Sequence, residues 1–149
     1  EQLAELFDAR LMLEERATLL AAPHAAELLP ELRAAHEVHE AACHDVVHAH
    51  AHGDVPLEVT QRYFEADGAF HAVILHHAGN RYVREMYASL GALTHRLRQA
   101  ALRGPSDVTE ALAEHRAILD AFSGADPSSA VQAMARHIEG VRARSLADR

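Results

Sequence analysis

Glycine and proline punctuate this chain in small groups, at Pro23, Pro30, Gly53 to Pro56, Gly79, Gly104-Pro105 and Gly124 to Pro127. The stretches between them are of helical length and rich in Ala, Leu, Glu and Arg. Such spacing predicts six helices, at about 1 to 22, 25 to 51, 56 to 78, 80 to 103, 107 to 123 and 127 to 147. β-branched residues nowhere alternate with polar ones over a useful length, so strands are not expected. Asp107 followed by Glu110 has the spacing of a capping box, and Asp126-Pro127 puts a carboxylate just before a first-turn proline. Both mark helix starts, and the last two helices should fold back on each other as an antiparallel hairpin. The expected fold class is all-α, an antiparallel helical bundle.

A chain of 149 residues, 49% of them apolar, has the size and side chains for one core, so a single domain over 1–149 is expected. Its 22 carboxylates against 14 Lys and Arg give a formal charge of −8, which repels a phosphate backbone; this piece alone should not bind DNA. Cys43 is the single cysteine, which excludes an internal disulfide or a thiolate cluster and suits a reducing, cytoplasmic setting. No apolar run approaches the roughly 20 residues of a membrane span, and no signal peptide is evident. The chain opens at Glu1, without methionine and inside a helical pattern, and reads as a piece of a longer protein.

Laying each helix out at about 100° per residue shows polar side chains where apolar ones belong. In the third helix Tyr63, Phe64, Phe70, Ile74 and Ala78 define the inward face, with Glu58, Gln61, Arg62, Glu65 and His76 opposite, and Asp67 and His71 fall among the inward set. Four residues apart, they project from consecutive turns and can reach one ion. The fifth helix repeats the anomaly, with His115 at the centre of a stripe of Val108, Ala111, Leu112, Ile118, Leu119 and Phe122. His137 flanks Val131, Met134, Ile138 and Val141 on the sixth, and the predicted hairpin brings it level with His115. A buried carboxylate resists ionisation and a buried imidazole needs partners, so one Asp and three His facing inward call for a common explanation, and a divalent metal supplies one. Zn²⁺, Ni²⁺, Fe²⁺, Mn²⁺ and Co²⁺ all suit this donor set, and spacing does not choose among them. The plainer account makes each residue a core polar group bonded to its neighbours.

Arg10 and Glu14 lie in the first helix's stripe of Leu3, Leu6, Phe7, Leu13, Ala17 and Leu20. They form either an intrahelical ion pair or a place where Arg10 holds a ligand carboxylate, which its planar fork suits. Asn80, after the Gly79 break, is either a helix cap or a pocket donor for an effector. On the second helix His36, Glu40, His44 and His48 follow one another at i,i+4, drifting off the face of Leu28, Leu32, Ala35, Ala42 and Val46; with His50 and His52 they are expected to be solvated. Met12, Leu19 and Leu11 lie off the main stripe of the first helix and suit a subunit interface.

These residues resemble the FCD effector-binding domain of GntR-superfamily transcription regulators over nearly the whole chain. The resemblance is carried by Leu6-Phe7-Asp8-Ala9-Arg10 with Leu13-Glu14, by Asp67-Gly68-Ala69-Phe70-His71, by Ala78-Gly79-Asn80, by Glu114-His115 and by Arg136-His137-Ile138. It implies a bundle of six to seven helices holding a divalent metal through Asp67, His71, His115 and His137, with Zn²⁺ or Ni²⁺ first and Mn²⁺, Fe²⁺ or Co²⁺ open. It further implies a small carboxylate effector at the metal, with Arg10 and Asn80 as candidate effector contacts. Homodimerisation is implied too, as is operator binding through an N-terminal winged helix-turn-helix that this chain lacks.

Two other classes compete with that reading. An open metal site in a helical bundle also suits a hydrolase or oxygenase, but no H-E-x-x-H sequence and no paired Glu-x-x-His motifs occur here, so no enzyme is expected. A metal-independent helical adaptor would keep its fold and its binding without metal.

Overall fold

The computed structural model describes residues 2–101, 104–124 and 126–147, with side chains described throughout except at 92 and 94–101. Six α-helices and one 3₁₀ turn account for nearly all of them. α1 covers Gln2–Ala21, a 3₁₀ turn covers Ala22–His24, and α2 runs Ala25–His52, α3 Leu57–His77, α4 Arg81–Ala101, α5 Pro105–Phe122 and α6 Pro127–Leu146. No strand occurs among the described residues. The expected all-α class and the order of its helices are those observed.

Local chemistry sets the boundaries. At the end of α3, Gly79 takes a left-handed φ of 68°, which costs glycine no steric penalty. Asn80 Oδ1 then accepts from the backbone N–H groups of Tyr82, at 3.0 Å, and Val83, at 3.2 Å, capping α4. Asp126 caps α6 as expected, its Oδ1 accepting from Ser128 N at 3.0 Å. α5 departs from expectation. It begins two residues before Asp107, with Gly104 at the cap and Pro105 in the first turn, so Asp107 lies inside the helix rather than at its cap. Proline wins because its fixed φ suits that position and its missing N–H is one the helix does not use.

α1 packs on α6, α3 and α4, α2 packs on α3 and α5, and α5 and α6 form the predicted hairpin. The main core joins Phe7 of α1, Leu28 and Leu32 of α2, Phe70 and Ile74 of α3, Ile118 and Phe122 of α5, and Met134 and Ile138 of α6. Full burial of each such side chain contributes about 1.5–3 kcal/mol. A second cluster gathers Cys43, Val46, Tyr63, Phe64 and Val108, and a third sets Leu13 and Ala17 against Leu75 and Val83. Among the largest fully buried side chains are Arg10, His39, His71 and His115, so polar groups lie inside this packing.

The second helix requires a correction. His44, His48, His50 and His52 are exposed, as is Glu40, but His36 is 6% exposed and buried. Residues four apart on a helix drift by about 40°, so a row that starts inside ends outside. His36 prolongs the buried row of Leu28 and Leu32 before that drift carries His44 and His48 to solvent. Among the described residues no helix is long and apolar enough to cross a membrane.

Candidate metal centre

Helix α3 presents Asp67 and His71 from consecutive turns, α5 presents His115, and α6 presents His137; none is more than 1% exposed. One ligand atom from each lies within 4.8 Å of all the others. His115 Nε2 is 3.2 Å from His137 Nε2 and 3.5 Å from a carboxylate oxygen of Asp67, and His137 Nε2 is 3.2 Å from His71 Nε2. The residues that the sequence set apart on three helices thus meet at one point. Phe70 stacks on His115 with centroids 4.1 Å apart and planes 10° from parallel, which fixes the ring from one side.

Two carboxylates fix the other rings. His71 Nδ1 donates to Glu14 Oε2, and Glu14 in turn accepts from Arg10 Nε at 2.5 Å. His137 Nδ1 donates to Glu114 Oε2 at 2.9 Å, and Arg144 grips both oxygens of Glu114 at 2.8 Å. An imidazole that gives its hydrogen from Nδ1 turns a bare lone pair outward at Nε2, the form that binds metal. Two such lone pairs facing each other across 3.2 Å repel unless a cation lies between them. The donor set therefore fits a divalent transition metal.

Burial, with His137, His71 and His39 nearby, holds the His115 imidazole well below its usual pKa despite Asp67. Burial likewise lowers His137, to about 4, against the pull of Glu114. Burial works against the charge of Glu14 too, but Arg10 and His71 outweigh it and bring the carboxyl down to about 2. Arg10 is held more firmly protonated than an ordinary arginine, because Glu14 more than offsets its burial.

A depressed pKa means that the unfolded chain takes up the proton first. The stability from His137 is complete above about pH 6.5 and is lost as pH falls through about 4, while that from Glu14 is lost between about 4.5 and about 2. Chelator-treated protein will therefore weaken on acidification from about pH 7, by up to about 1.4 kcal/mol per pH unit for each proton withheld in the fold. Urea unfolding at pH 7, 5.5 and 4.5 reads this slope, and a flat profile would place these rings in water.

The remaining sequence candidates separate. Arg10 is 2% exposed and joins the cluster, with Nη2 at 3.4 Å from His71 Nε2 and Nη1 buried without a hydrogen-bond partner. Asn80 is exposed and caps α4, the alternative that the sequence left open, and is not brought among the four buried residues. Sequence reading missed the Glu14–His71 contact, because partners 57 positions apart leave no trace in helical spacing. It also missed His39, which is fully buried with its ring 4.6 Å from that of His115, although its place on the buried row with Cys43 and Val46 was a usable signal.

An all-helical bundle that turns an aspartate and three histidines into its core has the makings of a ligand-holding domain. Residues 5–140 match the model of the FCD domain, and the chain belongs to that family of regulatory, ligand-sensing domains. No curated protein matches it.

Proposed function

We propose that this domain senses a small organic acid through one divalent transition metal, held by Asp67, His71, His115 and His137. It would do so within a GntR-type transcription regulator of the cytoplasm rather than as an enzyme. The observation that carries the reading is the convergence of four buried ligand atoms within 4.8 Å of one another. When bound, the metal, Zn²⁺ or Ni²⁺ by preference, would supply a Lewis-acidic anchor for effector oxygens. Charge favours an anionic effector. Arg10 and Glu14 offset each other, so a divalent ion beside Asp67 leaves a buried positive charge that one carboxylate neutralises. Arg10 already aims donors into this space, one of them without a partner. Control of operator DNA would run through homodimers and an N-terminal winged helix-turn-helix, since the FCD match and the acidic balance of 22 carboxylates against 14 basic residues suit a sensing domain, not a DNA-binding one.

Elemental analysis of the wild-type domain and of an Asp67→Ala, His71→Ala double variant, purified without a histidine tag or added metal, tests the reading. Both are also compared in a background with the exposed His44, His48 and His52 replaced by Gln, because helical histidines at i,i+4 bind metal weakly and the rings of His48 and His52 are 4.4 Å apart. About one equivalent is expected in the first protein and none in the second. A thermal-shift screen of organic acids follows on the metal-loaded form. No metal in either, with no uptake of Zn²⁺ or Ni²⁺ on titration, would return the four residues to core polar groups.

A further inference from the structure

The two carboxylates that orient the metal-site histidines sit in different surroundings. The Arg10–Glu14–His71 relay is sealed inside the bundle, with both of its charged members 2% exposed. The Arg144–Glu114–His137 relay lies between α5 and α6 with Glu114 23% exposed and Arg144 17% exposed, and Arg144 also donates to Glu110 at 3.1 Å. Packing alone does not pin a half-open carboxylate; the bonds to Arg144 and His137 hold Glu114 in register, and they need room for its head between α5 and α6.

That room lies beside Gly140. Gly68 and Gly91 also lie within helices, and among the described residues a Cβ added at either would meet nothing within 4 Å. A Cβ at 140 would overlap Glu114 Oε1 and come within 3.1 Å of Arg144 Nη1. Glycine inside a helix lowers its stability, so its presence one turn beyond Arg136-His137, where a carboxylate and a guanidinium fill the vacated space, has a steric reason. The atom it would strike is the end of a flexible side chain, but moving it breaks the two 2.8 Å bonds to Arg144 and the 2.9 Å bond from His137 Nδ1.

We propose that Gly140 is a positioning residue of the metal centre. By lacking a side chain it leaves the room in which Glu114, gripped by Arg144, takes the Nδ1 hydrogen of His137 and turns that ring's Nε2 toward the other donors. Outer partners of this kind tune metal affinity by ten- to a hundredfold. The consequence for metal rests on the function proposed above; the consequence for the His137 tautomer does not.

The test is a double-mutant cycle of Gly140→Ala and Glu114→Ala, with Gly91→Ala as control and helical content checked by circular dichroism. Nitrogen-15 NMR of the metal-free domain reads the His137 tautomer, and Zn²⁺ titration against a competing chelator reads affinity. Gly140→Ala is expected to lose the single Nδ1–H tautomer of the wild type and to bind Zn²⁺ ten- to a hundredfold more weakly, with Gly91→Ala unchanged. In the Glu114→Ala background Gly140→Ala should change neither. Should Glu114→Ala not fold, Glu114→Ser, too short to reach either His137 or the space beside Gly140, takes its place in the cycle. Retention by Gly140→Ala of the wild-type tautomer with affinity within threefold overturns the proposal, as does an equal loss with and without Glu114. A wild type that takes up no Zn²⁺ would instead sink the metal reading, and the tautomer alone would then decide the role of Gly140.

Discussion

Arg10→Ala will lower the stability of the metal-free domain by about 3–5 kcal/mol, the cost of leaving a buried charge without its partner. Arg10 and Glu14 are each 2% exposed and 2.5 Å apart, so truncating the guanidinium strands a carboxylate in the core. His71 still donates to Glu14, but one imidazole does not replace a guanidinium that holds the carboxyl near a pKa of about 2. The double replacement Arg10→Met, Glu14→Leu removes both charges and fills similar volume, and it should recover most of the loss. Urea denaturation of the three proteins separates these outcomes. An Arg10→Ala protein within about 1 kcal/mol of wild type would mean that water reaches the pair.

The second large effect is expected from the metal itself. Zn²⁺ at a thousand times its dissociation constant will stabilise the domain by about 4 kcal/mol, since a ligand that binds only the folded form shifts the equilibrium by that amount. For a chain of this size the melting temperature should rise by roughly 10 °C. Single replacement of Asp67, His71, His115 or His137 by alanine should abolish most of that rise. Thermal melts with and without Zn²⁺ make the comparison, and an equal rise in all four variants would assign the effect to exposed histidines such as His48 and His52.

Much of the fold was legible because punctuation is local. Gly79 and Asp126-Pro127 act within a turn or two of themselves, and their structural roles follow from their own backbones. The start of α5 was misplaced because two local signals conflicted, and Pro105 prevailed over Asp107. At the candidate metal centre the inward positions of Asp67, His71, His115 and His137 follow from helical period, and the hairpin fixes the height of the last two. What period does not reveal is which inward residue of one helix meets which of another. Glu14 with His71, Glu114 with His137, and His39 beside His115 are all products of packing between different helices. His36 was misassigned for a related reason, since a histidine row read as one surface in fact winds from inside to outside.

The sealing of the centre has a kinetic side. With Asp67, His71, His115 and His137 no more than 1% exposed, no solute reaches them by diffusion onto the closed bundle. Arrival would need an opening of the packing around them, drawn from the local fluctuations of the fold. The observed association rate of an effector should then level off at the opening rate as its concentration rises, rather than climb in proportion. On the function proposed above, departure would need the same opening, so an effector that binds the shut form more tightly would prolong its life, and the time the bundle stays shut would be the signal.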